Sequence, residues 1–154
     1  MKKVSMSGFV RLGALALVGA LPSPGAAQRH EVVRAPGAVA GLPFTPAVRL
    51  GNVLYLSGQI GNVPGTRQLA DTGIAGQTRQ AMENMSAVLA AAGSALDRVF
   101  KCTVFLADLA DYQKMNEVYA RYFPATVPAR STVAVSGLVF GARVEIECLA
   151  TVGS

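Results

Sequence analysis

Residues 97–106 read DRVFKCTVFL and residues 143–152 read RVEIECLATV. Both runs are rich in β-branched side chains, the first in aromatic ones as well, contain neither glycine nor proline, and are long enough for strands in the middle of a sheet. In the second run Val144, Ile146, Cys148 and Ala150 share one side by strand alternation, and Glu145, Glu147 and Leu149 share the other. Working outward, residues 53–57 (VLYLS) predict a strand opened by the turn pair Gly51-Asn52 and stopped by Gly58. A helix is expected over residues 77–92, where Met82, Met85, Leu89 and Ala92 recur at three- and four-residue spacing and Gly93 stands in the cap position. A second helix, capped by Asp108 or Asp111, reaches to about residue 122 with Tyr112, Met115, Tyr119 and Tyr122 on its inner stripe; Pro124 and Pro128 end it. Residues 131–135 give a further strand, residues 62–76 a loop or an irregular hairpin, and residues 29–46 an extended lead-in rich in Gly, Pro and Ala. The order strand, helix, strand, helix, strand, strand defines an α/β (α+β) fold, a mixed sheet with two helices on one face. Its other face carries apolar groups with no helix to cover them, so sheets of separate copies are expected to pack together in a homo-oligomer.

The chain opens with Lys2, Lys3 and Arg11 ahead of an apolar run at residues 12–21, followed by prolines and the small residues Gly25-Ala26-Ala27. This order predicts a secretory signal peptide at 1–27, cleaved after Ala27, a domain at 28–154, and export to the periplasm or beyond. The run is shorter than the roughly 20 residues a membrane span needs. Outside the first 27 residues, 11 basic residues face 9 acidic ones, a net charge of +2. The basic residues are scattered singly, which argues against nucleic acid or an anionic membrane as partner. Cys102 and Cys148 are too few for a disulfide scaffold or a zinc site and read as buried free thiols, with a disulfide the alternative in an oxidising compartment. His30 is the only histidine and lies far from any core partner in sequence, which disfavours metal hydrolysis and a serine triad.

The stretch Pro128-Ala129-Arg130-Ser131-Thr132 carries the most chemistry. Arg130 stands at a strand entrance, where its planar fork can meet a carboxylate through two parallel hydrogen bonds. Glu145 is its candidate acidic companion, with Glu147 competing; spacing alone equally permits a structural ion pair, or two groups facing solvent independently. Ser57 is either a pocket-lining hydroxyl or a strand-end turn residue, since Ser-Gly-Gln lacks a nucleophile elbow. Asn116 and Tyr119 line a cleft or pack on the sheet, the latter being the expectation for Tyr119.

Taken in order, Gly51-Asn52, the run from Tyr55 to Ile60 (YLSGQI), Gln77-Thr78-Arg79-Gln80 with Asn84, and Ala91-Ala92-Gly93 resemble the reactive intermediate deaminase A (RidA, YjgF-like) family. The resemblance continues through Lys101, the run from Thr103 to Leu106 (TVFL), Asp108, Asn116, Tyr119, Pro128-Ala129-Arg130-Ser131 and Val144-Glu145-Ile146-Glu147, spanning residues 41–151. It implies a chorismate-mutase-like fold assembled as a homotrimer with clefts between subunits. It also implies hydrolysis of enamines and imines such as 2-aminoacrylate to 2-keto acids and ammonia, without metal or organic cofactor. Arg130 would then bind the substrate carboxylate, Glu145 would move protons at the attacking water, and the backbone carbonyl of Thr132 would orient that water. The sequence departs from the family pattern at Leu42-Pro43-Phe44, where a tyrosine hydroxyl is lost from the pocket wall, and at Thr132, which replaces a cysteine. Two further readings remain beside it: a non-catalytic binder of 2-keto acids or other small carboxylates in the same cleft, and a ribonuclease, which the charge balance disfavours.

Overall fold

The computed structural model describes residues 29–153; the signal peptide expected at 1–27 lies outside them. Strand β1 (Glu31–Val33), β2 (Ala47–Leu50) and β3 (Val53–Leu56) form an antiparallel meander. Between β2 and β3 the backbone turns in two residues, with Gly51 at φ 64°, a value a side chain would resist in this tight hairpin. The chain steps out at Ser57-Gly58 and rejoins the sheet as β4 (Gln59–Ile60). Helix α1 (Ile74–Ala91) follows, then β5 (Val99–Leu106), α2 (Tyr112–Tyr119), β6 (Ala129–Ala134) and β7 (Val144–Thr151). The sheet runs β1-β2-β3-β7-β5-β6, with β4 beside β7; every pairing is antiparallel except β5 with β6, which α2 connects.

Both helices lie on one face. Met82, Met85 and Leu89 of α1 and Met115 of α2 are fully buried against Leu54, Val104, Leu106, Val144 and Ile146. The second face carries Tyr55, Thr103, Phe105, Val133, Glu147 and Leu149 with no helix over it, and Glu145 where the lead-in and the turn at 139–141 close in from one end. That is the uncovered surface the strand alternation requires.

Several expectations need correction. The lead-in is not featureless: it contains β1, and β2 precedes the first expected strand, both too short and too close to Gly and Pro to be recognised. Strand β3 stops at Leu56: the Ser57 amide still bonds the Pro46 carbonyl at 2.9 Å, but the chain then steps away at Gly58, whose side-chain space Glu145 fills. Helix α1 starts three residues early, at Ile74, since Asp71 accepts from the Gly73 amide at 2.8 Å and the Thr78 hydroxyl donates to the Ile74 carbonyl at 2.7 Å. Helix α2 is only 8 residues long; Asp108 caps the 3₁₀ turn before it, and a second 3₁₀ turn holds residues 120–122. Tyr112 leaves the inner stripe and is 40% exposed.

Cys102 and Cys148 are joined in a disulfide, not free. They face each other directly across β5 and β7 on the buried side, with Cα atoms 4.1 Å apart. Closing a loop of 46 residues restricts the unfolded chain by up to about 4 kcal/mol in the chain-entropy account.

Candidate active site

Arg130 lies in register with Cys102, so its side chain leaves β6 on the helix-covered face. Because β6 is the edge strand, the guanidinium emerges beside α2. It sits 4.8 Å from the centre of the Tyr119 ring and 5.8 Å from that of Tyr112, and it donates a long hydrogen bond of 3.4 Å to the Tyr112 hydroxyl. A cation over an aromatic face gains roughly 0.5–2 kcal/mol and keeps most of its N–H donors free. Among the described residues the ion pairs are Lys114 with Glu117 and Arg143 with Asp111, so no carboxylate engages Arg130. The Tyr112 phenol is held below its ordinary pKa, first by a hydrogen bond with Asn116 one turn along α2 and then by the charge of Arg130. Tyr119 is buried; burial pushes its phenol up to about 12 against the pull of Arg130. Thr132 follows Arg130 on the same side of the strand, and the hydroxyls of Tyr119 and Thr132 are both buried without a partner. The cluster is cationic and lacks an anion, the arrangement that suits an incoming carboxylate.

Glu145 points the other way. Its neighbours Val144 and Ile146 are fully buried under the helices, so alternation along β7 sends the carboxylate to the uncovered face, beside Phe105. There it packs onto Gly58: a Cβ at that position would overlap Oε1 of Glu145. The step between β3 and β4 thus requires glycine because the carboxylate occupies the side-chain space. The Glu145 carboxyl is raised above its ordinary pKa, mainly by burial and secondarily by the charge of Glu147. It opens into a cleft of about 420 Å³ formed by residues 35–46, β4, one side of α1 and the turn at 139–141; Leu42, Phe44, Gly58, Val139 and Phe140 are among its walls.

The six residues singled out in the sequence therefore fall into two groups. Arg130, Thr132 and Asn116 gather near α2, while Phe44 and Glu145 share the cleft. Ser57 precedes the cleft-lining Gly58 but is not in the wall itself; its hydroxyl donates to the Thr45 carbonyl at 2.6 Å, the bond of a turn residue that anchors the lead-in. Arg130 and Glu145 are on opposite faces of the sheet, so one protomer cannot bring both against one small ligand. Tyr112, assigned to the core by its helical spacing, belongs instead with Arg130. Gly58 and Phe140 were not singled out. Only the proximity of Gly58 to a strand end hinted at its role, and nothing in the sequence marked Phe140. Arg143, another isolated cation, is fixed structurally: its side chain makes two 2.8 Å bonds to buried Asp111, and its amide donates to Gln77 at 2.8 Å, tying α2 and α1 to the start of β7.

Residues 34–152 match the family described as Endoribonuclease L-PSP. The chain is 44% identical over 124 residues to the chloroplastic Reactive Intermediate Deaminase A of Arabidopsis thaliana, covering 80% of this chain and 66% of that protein. It is 42% identical over 123 residues to the human 2-iminobutanoate/2-iminopropanoate deaminase, covering 80% of this chain and 88% of the human one. A solved Rid-family protein of Yersinia pestis superposes with a TM-score of 0.74 at 41% identity, over 80% of this chain and all of that one. The chain belongs to the reactive intermediate deaminase (RidA, YjgF-like) family.

Proposed function

We propose that this protein hydrolyses carboxylate-bearing enamines and imines of the 2-aminoacrylate type to 2-keto acids and ammonia, in clefts between the protomers of a homotrimer. One observation carries the reading: an arginine without an acidic partner and a carboxyl with a raised pKa are built on opposite faces of a sheet whose second face is uncovered. Packing the β6 edge of one protomer, where the Arg130 cluster emerges, against the uncovered face of the next would unite that cluster with the Glu145 cleft. Relatives named as deaminases of 2-iminobutanoate and 2-iminopropanoate support the same chemistry.

In this mechanism Arg130 grips the substrate carboxylate in a two-pronged bond, and Asn116 and Tyr112 steady that cluster. The Thr132 carbonyl and Glu145 hold a water against the imine carbon. As the water oxygen bonds to the imine carbon, one of its protons passes to Glu145 and on to nitrogen, giving a carbinolamine; the remaining hydroxyl proton then moves to nitrogen, again through Glu145, as the C–N bond breaks, leaving a keto group and ammonia. An imine is already electrophilic, so positioning and proton transfer suffice. A raised pKa brings Glu145 closer to working pH, where a carboxyl can both take and give a proton. Because the carbonyl acts, a threonine in place of cysteine at 132 is compatible with the step.

The ribonuclease named in the family description gains no support from the charge: beyond the first 27 residues 11 basic side chains oppose 9 acidic ones, and none forms a stripe that could track phosphates. Export through a signal peptide at 1–27 remains part of the proposal. It is supported by the order of charge, apolar run and small residues there, and by the Cys102–Cys148 bond, which suits an oxidising compartment. The direct test generates imines in place with an amino acid oxidase and follows their loss with and without the protein. Acceleration above the uncatalysed rate is the expected result; binding of pyruvate without acceleration would leave only a carboxylate-binding module.

A further inference from the structure

The cleft that receives Glu145 is much larger than a one- or two-carbon side chain needs. At about 420 Å³ it falls in the range of pockets that bury ligands of drug size, roughly 300–1,000 Å³. Its walls are mostly apolar, with Leu42, Phe44 and Pro46 from the lead-in, Ile60 from β4, Val88 from α1 and Phe140 from the turn before β7; the amides of Gln59, Asn62 and Asn84 are its neutral polar side chains. Phe44 stands where the resembled family carries a phenol, so the wall loses a polar group there as well. Glu145 is the single charged side chain in the lining.

The turn adds an independent observation. Phe140 has φ 58° and ψ 17°, and is the only described residue other than glycine with a positive φ. A bulky side chain in that left-handed region is strained, and strain of this kind persists where surrounding structure requires the side chain in place. Yet Phe140 is 48% exposed, and Val139 and Phe44 beside the same opening are 59% and 58% exposed. Core packing therefore does not explain the placement. Apolar groups held at the mouth of a cavity are explained by what covers them, here a ligand in a cleft that a neighbouring copy closes.

We propose that this cleft takes the apolar side chain of the substrate, and that the protein prefers imines of branched aliphatic or aromatic 2-amino acids over those of alanine, with Phe140 as a specificity-determining residue. The inference rests on the deaminase reading above for its chemistry, but the cavity belongs to the chain whatever reaction occurs there. The geometry is consistent: Glu145 sits at the cleft, so an imine carbon held beside its carboxylate would direct its side chain between Phe44 and Phe140. Water is displaced from apolar walls as each added methylene enters, and each such group is worth about tenfold or more in kcat/KM for a well-fitted pocket.

The test compares kcat/KM for imines made in place from alanine, leucine and phenylalanine by an amino acid oxidase. In parallel, calorimetry measures binding of pyruvate, 4-methyl-2-oxopentanoate and phenylpyruvate. The leucine or phenylalanine imine should exceed the alanine imine by at least about tenfold, and the keto acids should bind in the same order of size. Phe140→Gly, which relieves the positive φ while removing the ring, should cut that preference several-fold. Hydrolysis that is fastest for the alanine imine overturns the cleft assignment while leaving the deaminase reading intact. No hydrolysis, but keto-acid binding that rises with side-chain size and falls in Phe140→Gly, supports the cleft and removes the deaminase. Binding indifferent to side-chain size, or a preference unchanged in Phe140→Gly, overturns the proposal.

Discussion

Arg130 and Glu145 occupy opposite faces of one sheet and are held in opposite ways. The arginine keeps its donors free: Tyr119 and Tyr112 support it through ring faces, and no acid neutralises it. The glutamate is crowded, pressed onto Gly58 in a half-buried apolar cleft with Glu147 two residues away, so its charged form is disfavoured. The first is prepared to bind an anion, the second to exchange a proton. Neither group can do the other's work, and neither meets the other within a protomer.

Removing the arginine should break the binding half. Two charge-assisted hydrogen bonds at roughly 1.5–3 kcal/mol each correspond to a fall in kcat/KM of about 10²–10⁴-fold for Arg130→Ala. Sedimentation should be unchanged and melting should fall only slightly, because the lost contacts with Tyr119 and Tyr112 are worth about 0.5–2 kcal/mol and no ion pair is broken; loss of the oligomer would make Arg130 structural. Glu145→Gln should act on the other half, lowering kcat by about 10²-fold with little change in KM, as expected for a proton-transfer group. Its pH dependence has a definite sign. A carboxyl with a raised folded pKa binds its proton more tightly in the folded state, so ionising it costs stability as pH rises through that pKa. Glu145→Gln should therefore melt higher than wild type at neutral pH and lose the advantage below the ordinary carboxyl range. The acid limb of the wild-type rate profile should lie above that range and vanish in the variant. The smallest effect is expected of Tyr119→Phe: the ring stays under Arg130 and a buried hydroxyl without a partner is removed, so activity should change little and stability should rise by at most about 1 kcal/mol. A tenfold loss of kcat/KM there would mean that the hydroxyl reaches the substrate.

Much of this was legible in the sequence. Alternation in the run VEIECLAT of β7 separated the buried Val144 and Ile146 from Glu145, and the uncovered face followed from having helices enough for one side only. The ordered motifs also pointed to both functional groups. What the sequence left hidden was phase and register. Which face Arg130 takes depends on the parallel pairing of β6 with β5, a tertiary fact that no local pattern encodes, so its separation from Glu145 appears only in three dimensions. The same holds for Cys102 and Cys148, which are bonded because β5 and β7 align them. Tyr112 shares the helical spacing of the core residues, but the short helix turns it to the edge, and the strained Phe140 follows from a turn conformation that phenylalanine rarely adopts.

Mixing two inactive variants tests most directly whether the site is shared between copies. Arg130→Ala and Glu145→Gln protomers, exchanged into hybrid assemblies and verified by native mass spectrometry, should regain about a quarter of wild-type activity, since a random cyclic assembly pairs the intact arginine of one copy with the intact glutamate of its neighbour at about one site in four. Hybrids that form yet remain as inactive as their parents would contradict the account.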